Sequence, residues 1–422
     1  MYHGWLVVLL TSLLFLAFNG IKMSWGVFVT TFSKDTVLGS SSQATLGVIQ
    51  SVFFLCCSAT SFIGKITSNH SGYKISALVG TLLVVLGLSL SAIAPSATYL
   101  IFSNGVLYGL GMNILVSPLF FIVADWFPWE HRYHVMCTSW AMVTMPLGTV
   151  VFGNLIQWLH QSIGWRYGYL VLATFYALWA TVSIHTLYKP TKEVLQEAIQ
   201  PEYLICPKQE VSPSVEIKWS KQIRVVVMVM WFVIYLSKGI CQTISYAILV
   251  RQVEDLGYTS ADGAHCLTAD GVAGFLSRLL VSALGDRVKG NILYIYVICA
   301  GLLMINNILV PYFTTLTGMF IFSTVLGLGQ GPIIAAWYAS CGEALSGQDV
   351  QTLFVILRSG MGLGAAIGPF LSGVIYDISG SYKPAFLTMA ALYLVNALLT
   401  ASIILINSVH KKLAKVGSVC QY

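Results

Sequence analysis

Apolar runs of about 18 to 25 residues, separated by short polar breaks, recur along the whole chain, and a helix of that length crosses a hydrocarbon layer roughly 30 Å thick. The pattern predicts twelve crossings, at approximately 5–31, 43–64, 75–94, 98–123, 134–158, 166–187, 224–249, 265–285, 292–313, 317–340, 350–375 and 384–407. Barrel strands would be about ten residues of alternating polarity, and the lengths and Gly/Pro content here fit helices instead. The predicted fold is an all-α membrane protein. The first run lacks the basic flank and small-residue cleavage site of a signal peptide and reads as a retained helix.

The longest polar stretch, Lys189 to Lys221, carries Pro190, Pro201, Pro207 and Pro213 and falls between the sixth and seventh runs. It divides the chain into a six-helix half (1–188), a cytoplasmic linker (189–221), a second six-helix half (222–409) and a cytoplasmic tail (410–422). The halves resemble each other at an offset of roughly 216 to 218 residues. "YGLGMN" from Tyr108 answers "LGLGQG" from Leu326, "MPLG" from Met145 answers "MGLG" from Met361, and "GWRYGYL" from Gly164 answers "GSYKPAFL" from Gly380. Repeated halves imply a pseudo-two-fold axis along the membrane normal and a binding site between them near the midplane, the plan of a transporter.

Composition agrees: 57% of residues are hydrophobic, 9% are charged, and the mean hydropathy is +0.79, which excludes an ordinary soluble domain. With the amino terminus inside, fourteen Lys and Arg outside the runs fall on the cytoplasmic side, among them Lys65, Lys74, Arg132, Arg287 and Lys289. Only Lys34, Arg166, Arg251 and Lys383 fall outside, so both termini are placed in the cytoplasm. The formal charge of +6 is then a topology signal and implies no nucleic-acid partner. The nine cysteines show no metal-ligand spacing, and the sequon Asn69-His70-Ser71 falls in a cytoplasmic loop. No nucleophile triad, phosphate loop or ligand-spaced His/Cys set is present, so the sequence predicts no enzyme, metal or cofactor. His131 and His134 read as solvated loop residues around Arg132.

Four cations fall inside the runs: Lys22, Lys238, Arg278 and Arg358. Each costs about 2.5–3.5 kcal/mol near the bilayer centre, so the set costs on the order of 10 kcal/mol. Asp270 is the one carboxylate placed clearly inside a run, and it cannot neutralise all four. Snorkelling or internal pairing is one reading. The other is an anionic ligand in a water-accessible cavity, where an arginine grips a carboxylate by two hydrogen bonds. Aligning Asp35 with Asp255 sets Lys22 opposite Gln242, one turn from Lys238. Asn19, Asn113 and Gln330 are uncharged candidates for the same site, or interhelical hydrogen-bonding groups.

Several motifs together resemble the major facilitator superfamily, and within it the monocarboxylate transporter family, related to oxalate/formate exchangers. "HGWLVV" from His3 looks like a shortened form of the family's opening to the first helix, and "DWFPWEHRYHV" from Asp125, followed by "AMVTMPLG" from Ala141, is similar to its element at span five. "IGWRYGYLVL" from Ile163 resembles the start of its span six. "LGDR", containing Gly285, Asp286 and Arg287, looks like the superfamily's loop after span eight, a conformational latch, and its counterpart "GKITSNHSGYK" from Gly64 is degenerate.

The resemblance implies a substrate carboxylate on Arg278, with proton coupling shared by Lys22 and an aspartate four residues before the arginine. That position is Gly274 here, and Asp270 lies one turn further back. The function implied is a plasma-membrane carrier of small organic anions, monocarboxylates such as lactate or pyruvate, by proton symport, uniport or exchange. A single-span accessory membrane protein is a further partner, since some relatives require one. The alternatives are a carrier of aromatic amino acids or other neutral or zwitterionic solutes, and a sensor or scaffold that transports nothing.

Overall fold

A computed structural model describes residues 2–32, 35, 43–191, 194 and 219–419, and these form helices with no strand. Lys34 and nearly all of the predicted linker, with Pro201, Pro207 and Pro213, lie outside the described residues. Among the described residues, ten helices are long and apolar enough to cross a membrane.

Two further crossings complete the predicted twelve. Ser61–Ala92 contains Gly72 at φ 79° and ψ 166°, outside helical space. In a continuous helix Thr67 and Ser76 would be about 13 Å apart along the axis, yet their hydroxyls are 3.1 Å apart. The chain reverses at Gly72, in backbone geometry that glycine adopts without a Cβ clash. Span two is therefore Gln43–Phe54, a π-helical segment Leu55–Ala59 and the beginning of Ser61–Ala92, whose remainder is span three. Trp165–Thr186 is span six.

Span one is Tyr2–Met23 continued by Trp25–Phe32, and span four is Ala97–Leu100, the π-helical Ile101–Tyr108 and Gly109–Trp126. Span five is His134–Ser162. Spans seven to twelve are Lys221–Asp255, Ser260–Leu284, Ile292–Leu309, Leu316–Ala335 continued by Trp337–Ala344, Val350–Ser379 and Lys383–Val419.

The packing repeats with the sequence. Span one lies on five, two and three lie on four, and three lies on six; correspondingly seven lies on eleven, eight on ten and nine on twelve. The glycines of the matched "MPLG" and "MGLG" segments show why those residues recur. A Cβ on Gly148 would collide with the carbonyl of Leu16, and one on Gly364 with the carbonyl of Leu236. Without a side chain, spans five and eleven can press against one and seven, the close approach on which packing in lipid depends. Leu16 and Leu236 correspond at the offset that also sets Lys22 opposite Gln242. Outward-facing side chains such as Leu178 and Ile298 remain bare, as lipid contact requires.

An even number of crossings leaves both ends of the chain on one face, the terminal face. The halves meet chiefly where span five touches eight and span two touches eleven. Every hydrogen bond described between the halves lies between the middle of the bundle and that face.

Candidate functional site

Two arginines of the second half reach into the backbone of the first. Arg278, on span eight, donates from Nη1 to the carbonyl of Met142 at 3.2 Å. That carbonyl lacks its helical donor because the residue four positions on is Pro146, which has no N–H. Arg278 Nε is buried without a partner. Arg358, on span eleven, donates from Nη2 to the carbonyl of Cys57 at 2.9 Å and from Nη1 to Ser117 Oγ at 3.0 Å. Cys57 belongs to the π segment, where Thr60 N bonds to Leu55 O five residues back and the regular ladder is disturbed.

The lysines lie with them. Lys22 Nζ sits 5.1 Å from the centre of the Phe18 ring and 5.6 Å from that of Phe54, and it interacts electrostatically with Arg278 and Arg358 across the halves. Lys238 is 2% exposed, contacts Gln242 Oε1 at 3.5 Å and interacts with Arg278. Since Gln242 is the counterpart of Lys22, the Lys238 ammonium extends toward the place that Lys22 occupies in the other half.

Asp270 is 5% exposed, faces the Tyr246 hydroxyl and interacts with Arg278. The ion pairs found among the described residues, Lys189 with Asp125 and Arg224 with Asp349, lie elsewhere, so no described carboxylate comes within 4.0 Å of the four cations. A Cβ on Gly274 would have its nearest neighbour at 3.7 Å, an ordinary contact, so close helix packing does not by itself require a glycine there.

The uncharged candidates divide. Asn19 Nδ2 donates to Met145 O at 2.9 Å, and Asn113 Nδ2 to Thr60 O at 2.7 Å and to Cys56 O at 3.3 Å. Both amides join helices inside the first half. Gln330 is 3% exposed with neither amide atom partnered. The loop Gly285, Asp286, Arg287 stands apart, at the beginning of span five: the Asp286 carboxylate accepts from the N–H groups of Val135 and Met136 at 2.8 and 3.0 Å.

His131 and His134 depart from the solvated reading. Each is 3% exposed, and His134 Nδ1 lies 2.6 Å from the carbonyl of Phe127. The turn before span five folds inward, since Trp129 and Tyr338 pack around His134. Pro146 and Tyr246 are contributors that charge counting passed over. A proline four residues after a buried carbonyl, and a tyrosine one turn beyond Gln242, were the available signals.

The family model of the major facilitator superfamily matches residues 10–315 and 290–417. The chain belongs to the major facilitator superfamily. Among curated relatives, monocarboxylate transporter 13 of Bos taurus is 23% identical over 93% of this chain and 87% of its own length. Human monocarboxylate transporter 2 is 21% identical, covering 92% and 83%, and the riboflavin transporter MCH5 of Saccharomyces cerevisiae is 23% identical, covering 89% and 73%. Among solved structures, a double-tryptophan variant of XylE superposes with a TM-score of 0.76 at 13% identity over 96% of each chain. The E. coli fucose:proton symporter FucP superposes with a TM-score of 0.67 at 19% identity over 96% and 99%. These structures share the fold, and the superfamily member described here is a multi-pass transporter of small molecules, not an enzyme.

Proposed function

We propose that this transporter carries small organic anions, monocarboxylates such as lactate or pyruvate among them, and that it belongs to the monocarboxylate branch of the superfamily. The observation that carries the reading is Arg278: a guanidinium in the middle of the bundle, with no carboxylate among the described residues within ion-pair distance and a buried Nε without a partner. A guanidinium offers five donors in a planar fork, and a substrate carboxylate can engage the edge that the Met142 carbonyl leaves free. Lys22 adds a second positive charge from the opposite half, so closing the halves over an anion is favoured by both.

The names of the relatives support the branch. The excess of Lys and Arg on the terminal face supports cytoplasmic termini, and with them a site closed toward the cytoplasm; a plasma-membrane location is part of the same proposal and follows the resemblance to the family. Proton symport would run through Asp270 or Lys22, because Gly274 supplies no acid. A single-span accessory membrane protein remains part of the proposal. A carrier of larger aromatic solutes is the second reading, supported by the Phe18 and Phe54 rings around Lys22 and by the riboflavin transporter among the relatives.

The test is uptake of labelled lactate and pyruvate by purified protein in liposomes, with and without a proton gradient or internal counter-anion. Arg278→Gln should lower kcat/KM by roughly 100-fold, the consequence of removing one partner from a buried charge pair. Competition by aromatic amino acids and riboflavin separates the second reading. No movement of any anion under any gradient would reject the first.

A further inference from the structure

The charge around the site exceeds what a monocarboxylate can balance. Lys22 and Lys238 each interact electrostatically with Arg278, and among the described residues Asp270 is the carboxylate that interacts with Arg278. In their ionised forms these three cations exceed that one carboxylate by two charges. Arg358 can only enlarge that excess: it lies within electrostatic range of Lys22, though the Cys57 carbonyl and Ser117 already occupy both of its Nη atoms. A monoanion would leave at least one of these cations uncompensated among buried groups, where an unpaired charge has lost hydration that nothing replaces.

The arrangement of the excess matters as much as its size. Leu16 and Leu236 meet the equivalent glycines Gly148 and Gly364, and the same register pairs Lys22 with Gln242. Lys238 Nζ reaches Gln242 Oε1 at 3.5 Å, so an ammonium group stands near this level in each half. Arg278, on span eight, interacts with both.

From this we propose that the preferred cargo is a dianion, a short dicarboxylate whose two carboxylates face the ammonium groups of Lys22 and Lys238 with Arg278 shared between them. The proposal rests on the reading of the protein as an organic-anion carrier and narrows its substrate class. Lys238 is the specificity-determining residue: a monocarboxylate is held by Arg278 and Lys22, and the second carboxylate of a longer cargo needs Lys238.

The experiment measures uptake of labelled lactate and labelled succinate, with unlabelled oxalate, malonate and succinate as competitors of lactate, in liposomes holding the wild type, Lys238→Gln or Lys238→Arg. The wild type should show kcat/KM at least roughly tenfold higher for one of the dicarboxylates than for lactate, a difference of about 1.4 kcal/mol. Lys238→Gln should lower the dicarboxylate value by roughly thirtyfold or more and the lactate value by about threefold, and Lys238→Arg should restore most of the preference. Lactate transport without effective competition by any dicarboxylate overturns the dianion and leaves the anion carrier standing. So does equal loss of both substrates in Lys238→Gln. If Lys238→Gln does not fold, the wild-type ratio and Lys238→Arg still decide. Failure of every mono- and dicarboxylate to move overturns the carrier reading itself.

Discussion

The contact between spans five and eight and the contact between spans two and eleven occupy corresponding places in the repeat, but they are built from different chemistry. At the first, Asp286 accepts from the N–H groups of Val135 and Met136, in the first turn of a helix that begins at His134. Those N–H groups have no partner within their own helix, and the positive end of the helix dipole faces the carboxylate. At the second, Lys65 donates to Thr352 Oγ1 at 2.6 Å, two residues into a helix that begins at Val350. A cation there meets the wrong end of the dipole. The second contact is held deeper instead, where Ser61 Oγ lies 3.0 Å from both Val355 O and Ser359 Oγ and Arg358 grips Cys57. Duplication has preserved where the halves touch, and only the loop after span eight retains an acid that caps its neighbour.

The sharpest way to break this contrast is Asp286→Ala. Two charge-assisted hydrogen bonds are lost and two backbone donors are orphaned, at a combined cost of about 2–4 kcal/mol to the closed terminal face. Cys57, fully buried at the other contact, reports the opening. Its labelling by a maleimide, read by peptide mass to separate it from the other cysteines, should accelerate roughly 30-fold or more. Unchanged labelling would mean that the contact between spans two and eleven closes the face alone.

Pro146→Ala should act in the same direction with a smaller effect. The restored N–H competes for the Met142 carbonyl and removes the first-half partner of Arg278, weakening the contact by about 1 kcal/mol, or roughly fivefold in labelling. The decisive readout is the double variant with Arg278→Gln. If the guanidinium acts through that carbonyl, the two labelling effects are far from additive. Additive effects would separate Pro146 from the site and leave its role to helix bending.

These residues also show where sequence reasoning stops. Twelve crossings were legible because membrane thickness sets their length, and the cations stood out because each is expensive in lipid. Pro146 was visible within a repeated motif, but its consequence depends on span eight lying opposite the carbonyl it frees. Asn19 and Asn113 were chosen for being polar within a span; whether a buried amide is satisfied depends on which helix lies beside it, and both are satisfied within their own half. The buried His131 and His134 sit in a stretch rich in charge, which hides the inward fold of the turn. Gly274 is the converse: the absence of an acid was readable, while the finding that a Cβ would fit there required the neighbouring helix.

The smallest expected effect belongs to the attempt to repair the weaker contact, Lys65→Glu. An acid at the beginning of span eleven gains about 0.3–1 kcal/mol from the dipole and removes a similar penalty borne by the lysine, while the hydrogen bond from Lys65 to Thr352, about 1 kcal/mol, is lost in exchange. Asp349 precedes that helix and is already paired with Arg224, which blunts its repulsion of the new carboxylate. The net gain should be a few tenths of a kcal/mol, giving labelling of Cys57 about twofold slower and, because the closed face must open in each cycle, slightly slower turnover. Faster labelling in Lys65→Glu would show that the lysine holds the contact as a donor more strongly than its charge opposes it. The lysine would then be a stabilising part of the second contact, and the contrast with Asp286 would be one of chemistry and not of a missing cap.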